Sequence, residues 1–207
     1  MKYLKLIVLL LLIGNLKANA SERPGWEISI LPASVRLDPT SNKIIEQRFH
    51  GVKGAIPERN LLANNWIYND NHVSLHAARG EYISFQIIIT NNTDTTLQDI
   101  SIDMPSFKNE TSHLNIPPEL FLEWAVEVKT PSTGYAKASL GKGWYPDALI
   151  PLGLIQSDSS KVNGRWTYPL WIPDFNNRID NQKSLMIWVD QFIPFEYNDA
   201  KPGGYTG

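Results

Sequence analysis

Apolar and polar residues alternating with a period of two are the feature that most narrows what this chain can fold into. In "YISFQIIIT" (82–90), Ile83, Phe85, Ile87 and Ile89 fall on one face, and Tyr82, Ser84, Gln86 and Thr90 on the other. Side chains along a strand point to opposite faces in turn, whereas a helix would scatter these residues around its circumference. "ELFLEWAVEVK" (119–129) repeats the pattern. Leu120, Leu122, Trp124, Val126 and Val128 are expected inward, and Glu119, Glu123, Glu127 and Lys129 on a solvated face with nothing to raise a carboxyl pKa. "SLMIWVDQFI" (184–193) is apolar on both faces, the pattern of a central strand covered on both sides. "LQDISIDM" (97–104) alternates as well, and the polar "NNTDTT" before it predicts a hairpin pairing 82–90 with 97–104. Shorter strands are expected at "WEISIL" (26–31), "KIIEQRF" (43–49) and "VSLHA" (73–77). One helix of two turns is expected in "IPERNLLANNW" (56–66), with Pro57 at its first position. The expected fold is all-β: an immunoglobulin-like antiparallel β-sandwich, with a long irregular aromatic-rich loop region at 130–183 folded across one side.

The first twenty residues read as an export leader. Lys2 and Lys5 precede an apolar run from Leu6 to Ile13, and Ala18-Asn19-Ala20 offers small residues where a signal peptidase cuts. The run is shorter than the roughly 20 residues that span a bilayer as a helix, and no later stretch is long enough to anchor the chain. Residues 21–207 are thus expected as one secreted or periplasmic domain, cleaved near Ala20. The chain has 19 basic and 21 acidic residues, and loss of Lys2, Lys5 and Lys17 makes the remainder more acidic. With no basic stripe, nucleic acid is not an expected partner. The chain contains no cysteine, which removes disulfides, thiol catalysis, iron–sulfur clusters and Cys-type zinc sites.

Residues that carry chemistry are sparse, and neither catalytic group, metal site nor cofactor is expected. His72 and His76 lie four apart on a predicted strand, about 13 Å from each other, too far to share one ion. "DFNNRID" (174–180) is oxygen-rich but lacks the glycine and glutamate of an EF-hand loop, and is read as a solvated turn. There is no Gly-x-Ser-x-Gly elbow and no phosphate loop. Glu81 begins the 82–90 strand on the side of Ile83 and Phe85, and is read as an ion pair at the rim of the core with Arg79 or Arg36. Asn91-Asn92-Thr93 and Asn109-Glu110-Thr111 are sequons in predicted loops. Tyr135, Trp144, Tyr145, Trp166, Tyr168 and Trp171 cluster in the irregular region. Aromatic residues among Gly and Pro in a loop pack locally, meet another domain or stack on a sugar, and the sequence leaves all three open.

Four strings occur in order: "ARGEYISFQIIIT" (78–90), "GWYPDALIPL" (143–152), "NQKSLMIWVDQFIP" (181–194) and "AKPGGYTG" (200–207). This set resembles the N-terminal β-sandwich domain of glycoside hydrolase family 123 and its relatives. There the pattern runs Gly-Glu-x-x-x-Phe-Gln, Pro-Asp-x-Leu-x-Pro, a Trp-Val strand ending in Pro, and Pro-Gly-x-Tyr-x-Gly. The stretch 158–180 is longer than the resemblance leads one to expect. The resemblance implies that Glu81, Phe85 and Gln86 mark a core strand, that Pro146, Asp147 and Leu149 mark a fixed loop, and that Trp188 and Val189 mark a central strand. Gly204, Tyr205 and Gly207 would mark the turn into a next strand, so that the domain is incomplete at its C-terminal strand and more prone to self-association than a longer version. In that family a (β/α)₈ barrel follows the sandwich and carries the acid pair for substrate-assisted hydrolysis of N-acetylgalactosaminides. The implied role here is a non-catalytic accessory domain whose partner is such a barrel. The alternatives are a free-standing carbohydrate-binding or adhesive module that contacts glycans, and an inactive truncated product.

Overall fold

The two longest runs of β-branched and aromatic residues become the middle of one sheet. The computed structural model describes residues 4–8, 25–47, 60–102, 104, 107, 117–130, 140–155, 168–196 and 203–205. Its strands are β1 (Leu4–Val8), β2 (Trp26–Pro32), β3 (Leu37–Asp38), β4 (Lys43–Ile44), β5 (Tyr68–Asn69), β6 (His72–Ala77), β7 (Tyr82–Asn91), β8 (Glu119–Val128), β9 (Gly143–Pro151), β10 (Ser184–Phe192) and β11 (Gly204–Tyr205). Five form an antiparallel sheet in the order β2-β7-β10-β8-β9, four form a second sheet in the order β11-β1-β6-β5, and β3 pairs with β4. Among the described residues, helix is limited to a 3-10 turn at Ile45–Gln47 and four residues at Leu152–Ile155. The chain is therefore all-β, with mostly antiparallel pairing, as its alternation predicts.

The five-stranded sheet is covered on both faces. On one, Ile30, Phe85, Ile87, Leu122, Ile187 and Val189 join Val73, Leu75 and Ala77 of β6 in one buried core. On the other, Leu31, Ile88, Ala125 and Met186 pack with Val35, Leu37 and Ile44 around the β3–β4 pair. β10, between β7 and β8, contributes to both cores, which is why 184–193 lacks a polar face. Gln86 lies in the second layer, where its Nε2 donates to Pro32 O at 3.0 Å and Val35 O at 2.6 Å. The amide thereby fixes the turn that leaves β2.

Several local expectations are corrected. The hairpin between 82–90 and 97–104 does not form. β7 instead pairs through nine residues with β10 and seven with β2. Leu97 makes only an isolated bridge to Ile172, and Asp99 at φ 52° interrupts any extended run. Long ladders on both edges outcompete an interrupted local one. Of the described part of 43–49, Lys43–Ile44 is strand and Ile45–Gln47 is the 3-10 turn, and residues 48 and 49 lie outside the described residues. Of 56–66, the described part is one turn in which Ala63 N and Asn64 N donate to Asn60 O, and Pro57 lies outside the described residues. Glu81 is exposed and accepts from Ala78 N at 2.6 Å, closing the turn into β7, while Arg36 pairs with Glu46 at 2.8 Å. Pro146, Asp147 and Leu149 are not loop residues. They lie in β9, at the sheet edge, where Trp124 opposes Ala148 and Ala125 opposes Pro146. Asp147 is the extra residue of a β-bulge, and the bulge and the edge are what let a proline without an N–H sit there.

Leu4–Val8, within the stretch read as a leader, pairs antiparallel with β6, and β11 lies parallel beside it. Gly207 lies outside the described residues.

Candidate functional site

β8 and β10 part company early. Their ladder runs from Asp190↔Glu119 to Ile187↔Leu122 and ends there. Past that point the strands diverge into a fork, and residues 168–182 fill it. A cavity of about 10 Å³ remains, lined among others by Leu122, Glu123, Tyr168, Asp174, Arg178 and Gln182. That is room for about one water.

Glu123 overturns its sequence assignment. The face it shares with Phe121 and Ala125 is not solvated, because the second layer covers it; Glu123 is 6% exposed. Its Oε1 is buried with no hydrogen-bond partner. Burial pushes its pKa up to about 8, so the side chain is largely a neutral acid at pH 7. The signal was present in the flanking Phe121 and Ala125, which put a lone Glu between two residues that favour burial. The same bending strand leaves Val126, expected inward, 37% exposed.

Asp174 organises the segment opposite. It accepts from the Tyr168 hydroxyl at 2.6 Å and from Asn176 N at 3.1 Å, and its own N–H donates to Gln182 Oε1 at 2.7 Å. "DFNNRID" is thus a turn folded around a buried carboxylate rather than a solvated one. Burial, then the Asp174 hydrogen bond and charge, push the Tyr168 pKa up to about 12, which keeps its phenol a donor. Arg178 bridges segment and sheet. Its Nη1 donates to Ala125 O at 2.6 Å, its guanidinium lies 3.6 Å from the Trp124 ring centroid, and its Nη2 is 3.9 Å from Asp174 Oδ2. Its Nε, like Glu123 Oε1, is buried and without a hydrogen-bond partner.

Asp174→Ala is expected to cost about 2–4 kcal/mol, because it leaves the Tyr168 hydroxyl without its acceptor and Arg178 without its counter-charge. Urea unfolding of the two proteins measures it; a cost below about 0.5 kcal/mol would mean that the turn does not depend on this carboxylate.

The aromatic residues singled out in the sequence divide. Tyr168 packs edge-on to Trp124 and Phe175, and Trp171 packs edge-on to Phe175 at 5.0 Å. Trp144 reaches the same guanidinium from farther away, 6.0 Å. Tyr145 is buried elsewhere, its hydroxyl directed at Leu140 O and Gly141 O. Tyr135 and Trp166 lie outside the described residues. Local packing thus accounts for Tyr168, Trp171 and Tyr145; the sequence reading missed Trp124, Phe175 and Arg178 as packing partners in this cluster, and Glu123 as a buried acid beside it. Of the motif residues, Phe85 and Gln86 are buried at the centre of the sheet, and Trp188 Nε1 donates to Asp190 Oδ1 at 2.6 Å. His72 and His76 are both exposed on β6. Among the described residues no group of three or more metal-ligating side chains converges, and no helix is long and apolar enough to cross a membrane. No protein-family model and no curated protein matches the chain.

Proposed function

We propose that this chain is a non-catalytic accessory domain of an exported, glycoside-hydrolase-like protein, with an immunoglobulin-like sandwich that supports a catalytic barrel. The observation that carries the reading is where the Gly-Glu-x-x-x-Phe-Gln string falls. Phe85 is fully buried in the central sheet, and Gln86 holds the backbone of the 32–35 turn. Residues 78–90 thus do scaffold work, the role the resemblance assigns to them. The fork supports the same reading: its polar groups face a cavity the size of one water, with no room for a sugar ring. The test is hydrolysis of a chromogenic N-acetylgalactosaminide by the processed chain. The expected rate is that of the buffer blank. Turnover above blank that a single substitution within the chain abolishes would overturn the reading.

A second reading, a free-standing carbohydrate-binding module, is favoured by Phe175, 45% exposed beside Trp171. It predicts polysaccharide retention that is lost in Trp171→Ala, and a flat glycan array removes it.

A further inference from the structure

The fork holds a charge balance that one proton decides. Two ionic groups face each other across the cavity, the Asp174 carboxylate and the Arg178 guanidinium. With Glu123 protonated the fork is neutral overall. From β8, Glu119 and Glu127 are the other acids on the side of the strand that carries Glu123. From β10, the cavity is lined only by Leu185 and Met186. From the segment come Tyr168, Asp174 and Arg178, with Asp180 and Lys183 just beyond. Loss of the Glu123 proton therefore leaves a net negative charge in a narrow, mostly buried space.

That charge would be poorly solvated, because Glu123 is almost wholly buried. A carboxylate presents about four lone-pair sites to be satisfied, and the cavity has room for about one water. Among the described residues Arg178 is the one cation lining it, with Nη1 committed to Ala125 O and its face to Trp124, which leaves Nε as the donor without a partner. The sheet cannot yield at this point, because Leu122 and Ile187 close the ladder directly beside the fork. Leu170, Ile172 and Ile179 are buried in the two cores; what can yield is the turn 174–178, which meets β8 through the Arg178 side chain rather than through a strand ladder.

We propose that the fork is a proton-operated latch: protonated Glu123 lets residues 174–178 seat against β8, and its ionisation lifts them off, withdrawing Arg178 from Trp124 and Phe175 from Tyr168 and Trp171 and so exposing those rings. The latch gives the fold a surface of aromatic rings that is covered in one protonation state and open in the other.

Amide hydrogen exchange on the full chain tests this between pH 6.5 and pH 9.5, with rates corrected for intrinsic base catalysis. The reporters are Asp174 N and Asn177 N, bonded to Gln182 Oε1 and Asp174 O, with Val189 N in β10 as the reference. In the wild type, protection of the two reporters is expected to fall at least tenfold relative to Val189 across this range. In Glu123→Gln it is expected to stay level. Protection that holds in the wild type to pH 9.5, rises as Arg178 swings onto the new carboxylate, or falls equally in both proteins overturns the latch. A second measurement does not depend on the variant folding: the Glu123 carboxyl carbon, followed by NMR in the wild type, is expected to titrate above pH 7, and titration below pH 6 overturns the proposal.

Discussion

Replacing Glu123 with glutamine is expected to stabilise the protein increasingly above about pH 5, by about 3–5 kcal/mol at pH 9. The sign follows from where the proton resides. Unfolded, the carboxyl titrates near its ordinary value of 4.5; folded, burial holds it at about 8. Below 4.5 it is neutral in both states and affects stability little. Between 4.5 and 8 the unfolded chain ionises while the folded one keeps its proton, so stability falls as pH rises, by up to about 1.4 kcal/mol per pH unit. Above 8 both states are charged and the full penalty is present. Glutamine has the same shape and no proton to lose, so its stability curve lacks this slope. Denaturant unfolding at pH 5, 7 and 9 measures the difference between the two proteins. Parallel curves for wild type and variant would mean that Glu123 finds solvent in the folded state. A latch that opens would cap the penalty, because a lifted segment rehydrates the carboxylate; a plateau smaller than the simple arithmetic gives would then accompany lost exchange protection.

Phe85→Ala is expected to cost about 3–5 kcal/mol, the usual range for emptying a buried phenylalanine site. Phe85 has no exposed surface, and it stands opposite Pro32 on one side and Val189 on the other. Three strands meet at its ring, so the surroundings cannot collapse without breaking ladder hydrogen bonds. Phe85→Leu, which keeps most of the volume, is expected to lose less than half as much. Urea midpoints of the three proteins at pH 6, where Glu123 is protonated, separate this packing loss from the charge effect. Equal midpoints for Phe85→Ala and wild type would place Phe85 outside the folding core.

The sequence revealed the sheets better than their partners. Alternation at 26–31, 82–90 and 119–128 and the two-sided apolar run at 184–193 identified four of the five strands of the main sheet, because such patterning is a local property; β9 was expected as a loop. Pairing is not local. The hairpin 82–90/97–104 was the nearest candidate in the chain, yet β2, more than fifty residues upstream, and β10, about a hundred downstream, supply longer ladders. The candidate site was less legible still. Tyr168 and Trp171 stood out by composition alone. Glu123 did not, since a glutamate among alternating residues looks solvated until other residues are laid over it, and those beside its cavity come largely from 168–182, which carries almost no periodic pattern. Arg178 and Asp174 were read as parts of a surface turn for the same reason.

The bulge in β9 has a consequence for how copies of this protein meet. β9 forms one border of the five-stranded sheet. A foreign strand arriving there would find no donor at Pro146, a bend at Asp147 and an exposed carboxylate in its path. Each of these spoils the regular comb of N–H and C=O groups that a new strand needs as a template. This border is thus shielded against growth of the sheet by addition, a safeguard that the sequence carries in two adjacent residues.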